Sequence, residues 1–450
     1  LKFEKALFIF RRDFRLVDNT GLIFALKNAK TVIPIFIFTP EQINHNPYRS
    51  DHCLQFMLES LDDLEQQLKE KGAKLYYFHG KADEIVEECI KKLDISAIFV
   101  NRDYTPYSIH RDQMIEKVCQ KHKIEFHSFD DLLLHPPEDT LKKDGKPYTI
   151  FTPYFRNASK EPVLLPVSNT ASNYFKGSIP FAKKPSIKIE KNVVHRLIGG
   201  RSEALKVLKK LSSLHDYEKM RDIPAEDHSS HLSAYLKFNV CSVREIHAAI
   251  CHHLSSRHPL IRSLYWRDFF TTIAFLFPHV FKGPFRSEYA DLSWSNDTKL
   301  FHRWCEGMTG FPIVDAGMRE MNATGFMHNR VRMIAGSFLV KDLHIDWRLG
   351  EKYFAQTLID YDPAVNNGNW QWVASTGTDA QPYFRIFNPW TQQQKFDPDC
   401  IYIKRWIPEL KDIDPKIIHH WYEKKAPTSY PAPITNHAQA AKKALQLYRS

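Results

Sequence analysis

The chain has 450 residues, 43% of them hydrophobic, which is enough to fill two or three cores and too much for one. Its formal charge of +10 suits a polyanionic partner and equally a solubilising surface, so charge alone assigns no function. Seven cysteines, odd in number and without a CxxC pair, speak against a disulfide framework or zinc ribbon, and no metal site is expected. No apolar run approaches the ~18 residues that cross a bilayer, and KFEKALFIFRRDF lacks the core and cleavage site of a secretory signal. The expectation is a soluble intracellular monomer without a membrane partner, in the cytoplasm or nucleoid, or in the nucleus of a eukaryote.

Residues 1–130 alternate β-branched or aromatic runs, KALFIF (5–10), TVIPIFIF (31–38), KLYYF (74–78) and SAIFV (96–100), with amphipathic stretches at Cys53 to Lys71 and Asp83 to Leu93. This rhythm predicts an α/β domain, a parallel sheet of Rossmann-like type covered on both faces. Neither GxGxxG nor GxxxxGK[ST] follows the first strand, so a dinucleotide or P-loop site of those types is disfavoured. Residues 131–200 read as a connector, because the part after about 158 is rich in Pro, Ser, Asn and Lys with little periodicity. From 201 to 450 the pattern is mainly α-helical, with Ser242-Val-Arg-Glu245 forming a capping box that opens a helix to about His253.

Four stretches could carry chemistry. In HSSHLSAYL (228–236), Ser229, Ser230 and Ser233 precede an apolar run and suit a phosphate at a helix start, although ordinary N-capping is the commoner use of such hydroxyls. In RSLYWRDFF (262–270), Tyr265 and Trp266 lie among cations, an arrangement that fits either base stacking or an aromatic core. If Met327 to Asp342 is helical, Met327, Val331, Ile334 and Phe338 form an apolar stripe, while Asn329, Arg332, Met333 and Gly336 share another face. Arg332 then needs an anion, and Asp360 and Asp362 are the nearest acids in sequence. Nine tryptophans, including Trp294, Trp347, Trp370 and Trp372, are a high number, and spacing alone does not tell a chain of them from core.

Taken together, TGFPIVDAGMREMNATGFMHNRVRMIAGSFLVKDLHIDWRLGEKYF, LIDYDPAVNNGNWQWVASTGTDAQPYFRIFNP, RRDFRLVDN, YEKMRDIP, HLSAYL and LYWRDFF resemble the photolyase/cryptochrome family. The resemblance covers nearly the whole chain and is strongest to class I photolyases acting on cyclobutane pyrimidine dimers. It implies an α/β antenna domain followed by a helical domain that binds FAD. By resemblance, Tyr217, Ser229, Ser230, Leu232 and Ser233 hold the FAD phosphates and ribityl chain, and Arg267, Arg332, Asp360, Asp362 and Asn366 surround the flavin. Asn366 is expected beside flavin N5.

The resemblance further implies that Trp266, Asn329, Arg330, Met333 and Trp372 contact an extruded dimer in UV-damaged DNA, and that Trp294, Trp347 and Trp370 pass an electron inward to oxidised flavin. The implied reaction is redox-neutral and light-driven, with FAD active as FADH⁻. Its rival is a cryptochrome-like blue-light sensor with weak or no repair. Two departures stand out. Ser263 occupies the position, three residues before Trp266, where dimer-repair enzymes usually carry a glutamate, and His231 stands where arginine is common. For an antenna, His45 matches a folate-contacting position, whereas Tyr107 and Ser108 do not reproduce the expected Asn-Glu pair, which leaves methenyltetrahydrofolate, a deazaflavin or a flavin open.

Overall fold

A computed structural model describes residues 2–44, 46–189, 197–226, 228–379, 384–423 and 427–449. Contacts divide it into two compact units: Leu1–Asn192, Leu197–Ser212 and His231–Pro278 in the first, and Val193–Arg196, Ser213–Ser230 and His279–Ser450 in the second. This division differs from a cut at residue 200. The helices Leu232–Lys237, Val243–His253 and Pro259–Leu276 pack in the unit that holds the sheet.

In the first unit, five parallel strands lie in the order β3-β2-β1-β4-β5: β1 Phe3–Phe10, β2 Ala29–Phe38, β3 Tyr76–His79, β4 Ala97–Asn101 and β5 Glu125–Phe129. The central strands are buried on both faces, which is why their sequences are almost continuously apolar instead of alternating. Residues two apart share a face. Leu7, Ile9, Ile33, Ile35 and Ile37 meet Val86, Cys89 and Ile90 of the helix Ala82–Leu93 and Ile115 and Cys119 of the helix Pro106–Lys121. Opposite them, Phe36 and Phe38 join an aromatic layer that includes Phe14, itself stacked on Phe238. The four strands and both amphipathic helices expected from sequence are present. β5 was not expected, because its EFHSF pattern is half polar and mostly solvated, as an edge position permits.

An ionic knot ties the segment after β1 to later helices of the same unit. Arg15 and Arg244 both pair with Asp131, and Arg244 also pairs with Asp18, which accepts from Ser242. Ser242 and Glu245 complete the anticipated capping box on the helix Val243–His253. Burial pushes the Asp131 carboxyl up, but the two guanidiniums outweigh it and hold the group at about 2.

The second unit is helical. Its helices Pro312–Thr324, Asn329–Ser337, Trp347–Thr357, Pro363–Ala374 and Ile401–Trp406 converge on a core that contains Trp304, Phe338, Trp347 and Trp370. Met327, Val331, Ile334 and Phe338 are all fully buried, as the stripe requires. The expected helix is shorter than Met327 to Asp342: His328 caps it, and after Ser337 it loosens into a π-helical turn, Phe338–Asp342. No helix among the described residues is long and apolar enough to cross a membrane.

Candidate functional site

The helix Pro363–Ala374 organises the second unit's polar centre. Asp362 caps it by accepting from the amides of Ala364 and Val365, and Pro363 fits the first turn because its missing N–H costs nothing there. One turn in, the Asn366 side-chain amide donates to the Glu351 carbonyl at 3.1 Å. Among the described residues no donor bonds its Oδ1, so a carbonyl oxygen remains for an external N–H donor. The next residue, Asn367, donates to Val280 O and to the Glu351 carboxylate and accepts from Gln371. Burial pushes the Glu351 carboxyl up to about 7, only partly offset by the Asn367 hydrogen bond. Sequence reading did not single out Glu351, since an acid in a helix ordinarily faces solvent.

Arg332 finds its anion in Asp360. The pair is bidentate, at 3.2 and 3.0 Å, and Nε donates to Met327 O. Of the two acids weighed in the sequence, one therefore neutralises the guanidinium and the other caps a helix. Arg330, expected toward DNA bases, lies in an ion pair with Asp222 at 2.8 Å, and its guanidinium is 4.5 Å from the Phe396 ring. Asn329 is exposed and its amide lies 3.9 Å from the sulfur of half-buried Met333, so these two members of the expected substrate set do come together.

Trp370 and Trp347 are buried in one apolar cluster, and part-exposed Trp294 packs against it. Trp347 is 2% and Trp370 4% exposed, so burial sets Trp294 apart from the other two and does not order Trp347 before Trp370. Trp304 was not anticipated, yet it lies 6.2 Å from Trp370 and donates its indole N–H to Ala335 O. Gly350 makes room for Trp370, because a Cβ there would sit 2.3 Å from the indole. Trp372 is half-buried, 5.9 Å from the Arg385 guanidinium. Tyr217 opens a short helix, Tyr217–Met220, in the same unit.

Within the first unit, Arg267 is held by Leu132 O at 2.9 Å and by Asp268 at 3.1 Å. Desolvation raises the Asp268 carboxyl to about 7 despite that guanidinium. Trp266 stacks on Phe151 at the start of the helix Phe151–Ala158. Leu232 and Ser233 open the helix Leu232–Lys237, whose N-cap is His231 in a left-handed conformation with no side-chain cap. The N-cap position of this helix is thus taken by His231 and not by a serine. Ser229 and Ser230 belong to the second unit.

A cleft at the carboxyl ends of β1 and β2 is lined by Arg11, Thr39, Gln42 and Arg111, the usual ligand end of a parallel sheet. The Arg111 guanidinium is nearly buried and pairs through Nε with Asp112, while its Nη2 makes no hydrogen bond among the described residues. Tyr107 bonds Thr39 and Ser108 bonds Asp103. His45 lies outside the described residues. Among those described, no group of three or more metal-ligating side chains occurs.

Comparison with known proteins covers both ends of the chain. Residues 6–170 match the DNA photolyase family and residues 260–450 the FAD binding domain of DNA photolyase. The deoxyribodipyrimidine photo-lyase of Alkalihalophilus pseudofirmus is 37% identical over 98% of this chain and 97% of its own length. Among solved structures, an archaeal photolyase from Sulfolobus tokodaii with two FAD molecules, described as implicating a novel light-harvesting cofactor, is 43% identical with a TM-score of 0.88 over 99% of both chains. A Synechocystis cryptochrome is 27% identical with a TM-score of 0.91, again over 99% of both chains. The donor set of the second unit fits a flavin: Asn366 Oδ1 offers an acceptor suited to a ring N–H, and the Arg332–Asp360 pair supplies both signs of charge nearby in the sequence of helices.

Proposed function

The chain belongs to the photolyase/cryptochrome family, and from that premise we propose that it is a light-driven DNA-repair enzyme that splits cyclobutane pyrimidine dimers. Its cofactor is FAD. Bound and reduced, FAD would supply the photoexcited electron that opens the cyclobutane ring and is afterwards returned, so no net oxidation occurs and no nucleophile is needed. The protein's part is positioning and electrostatics. Asn366 Oδ1 would accept from the ring N–H and favour the reduced form, while Arg332, fixed by Asp360, would balance charge near the ring. Tyr217, Ser229, Ser230, Leu232 and Ser233 are assigned to the phosphates and ribityl chain, and Arg267 and Asp362 to the flavin surroundings.

Trp294, Trp347 and Trp370 are the assigned conduit for reactivating oxidised cofactor, supported by their common cluster and by the partial exposure of Trp294. Trp266, Asn329, Met333 and Trp372 are assigned to the extruded dimer. Arg330 is assigned to the same region through its ion pair with Asp222, as a support more than a base contact. The observation that carries the proposal is the unpaired acceptor of Asn366 on the helix that also bears Trp370 and Trp372.

For light harvesting, the Arg11 and Arg111 cleft favours an antenna with an anionic group, and the Sulfolobus relative makes a flavin nucleotide the leading choice over methenyltetrahydrofolate or a deazaflavin. The cryptochrome likeness supports a second reading, a blue-light sensor with weak or no repair. Irradiated plasmid DNA separates the two: a repair enzyme restores transforming activity fully in blue light and not in the dark, whereas a sensor restores little or none in either.

A further inference from the structure

We infer that Phe151 is a positioning residue for damage recognition, stacking on Trp266 and building with Arg262 a platform that holds an unstacked pyrimidine by its flat face. The inference rests on the proposed role of Trp266. Residues Arg262, Trp266, Phe269 and Phe270 recur at helical spacing along Pro259–Leu276 and so share one side of that helix. Phe151, the first residue of Phe151–Ala158, meets them there. Its ring lies 3.6 Å from the Trp266 ring, centroid to centroid, with 6° between planes.

Aromatic pairs left to themselves prefer an offset or edge-on arrangement to so complete an overlap. The overlap is imposed by packing. Phe269 presents its edge to both rings, 5.8 Å from each, at 80° to Phe151 and 84° to Trp266. Phe151 is wholly buried while Trp266 stays part-exposed, so the phenyl acts as backing and the indole as the surface. An indole fixed in this way spends little rotamer entropy when a base stacks on it.

Two neighbours define what the platform reads. Exposed Ser263 offers only a short hydroxyl, so stacking dominates there over hydrogen bonding to a base edge. Exposed Arg262 lies 4.9 Å from the Phe151 centroid and 5.3 Å from that of Phe155; among the described residues its only hydrogen bond is 3.5 Å to Thr152 and no acid pairs with it. That charge is available to a phosphate.

The test measures the FAD-loaded protein against single-stranded oligonucleotides with and without one thymine dimer, and reads the ratio of the two dissociation constants. Phe151→Leu is expected to lower that ratio about tenfold, with Phe151→Tyr retaining it. Repair per absorbed photon at saturating dimer stays the same for both. The double variant with Trp266→Leu is expected to lose no more than Trp266→Leu alone, because the phenyl acts through the indole. Arg262→Met weakens both oligonucleotides equally and reduces the salt slope by about 1. If Phe151→Leu fails to hold FAD, Phe151→Met fills the volume without a flat face and is expected to show the same loss. An unchanged ratio in the Phe151 variants, or losses that add to those of Trp266→Leu, overturns the inference while leaving the role of Trp266 standing. An unchanged ratio in Trp266→Leu removes that role, and the inference with it.

Discussion

On the proposed function, Ser263 is where the substrate side of this chain is most economically equipped. It is exposed three residues before Trp266, where a hydroxyl reaches less far than a carboxylate and carries no charge. Ser263→Glu is expected to tighten binding of a dimer-containing oligonucleotide by several-fold, read by fluorescence titration; unchanged or weaker binding would show that another group already does this work. Asn366, Arg332 and Asp360 tell a different story at the same scale. The need of Arg332 for an anion follows from its place on a largely buried helix, and Asp360 supplies that anion as a bidentate partner. That Asp362 is instead a helix cap was readable only as one of two options, because both acids flank the same tyrosine. The sequence also left Arg330 free to face DNA bases, and its partner Asp222, more than a hundred residues away, carries no local signal.

Among elements, legibility followed local periodicity. Continuous apolar runs marked four strands, and a capping box marked a helix to its last residue. β5 escaped because an edge strand needs no apolar pattern, and the π-helical turn escaped because its buried stripe continues the preceding helix. The packing of the helix Trp347–Thr357 against Pro363–Ala374 was equally invisible, although it depends on one residue. An alanine at Gly350 would place a methyl 2.3 Å from Trp370 and 2.5 Å from Leu339. Gly350→Ala is therefore expected to cost about 1–3 kcal/mol of stability by overpacking and to shift Trp370, slowing photoreduction of oxidised flavin. Thermal unfolding and the rate of flavin bleaching under blue light read the two effects; a variant with unaltered values for both would contradict the packing argument.

For the whole molecule, acid sensitivity follows from where its charges are spent. The buried pairs of Asp131 with Arg15 and Arg244 hold that carboxyl near 2, below the ~3.9 of an unfolded aspartate. Because the folded value is depressed, the stabilisation is present above about pH 4 and is lost as pH falls toward 2. Asp131→Asn is expected to destabilise the protein by roughly 3–5 kcal/mol at neutral pH, since it leaves a buried guanidinium undercompensated, and to flatten the acid limb of the stability profile. Denaturant melts at several pH values test this, and a variant with an unchanged acid limb would place the sensitivity elsewhere. The central claim concerns repair itself. The most direct measurement gives the FAD-loaded, reduced protein an oligonucleotide with a single thymine cyclobutane dimer and another with a (6-4) photoproduct, and follows recovery of thymine absorbance under blue light and in darkness. Recovery of the first substrate alone, and only in the light, is the expected result; no light-dependent recovery by protein carrying stoichiometric FAD would contradict it.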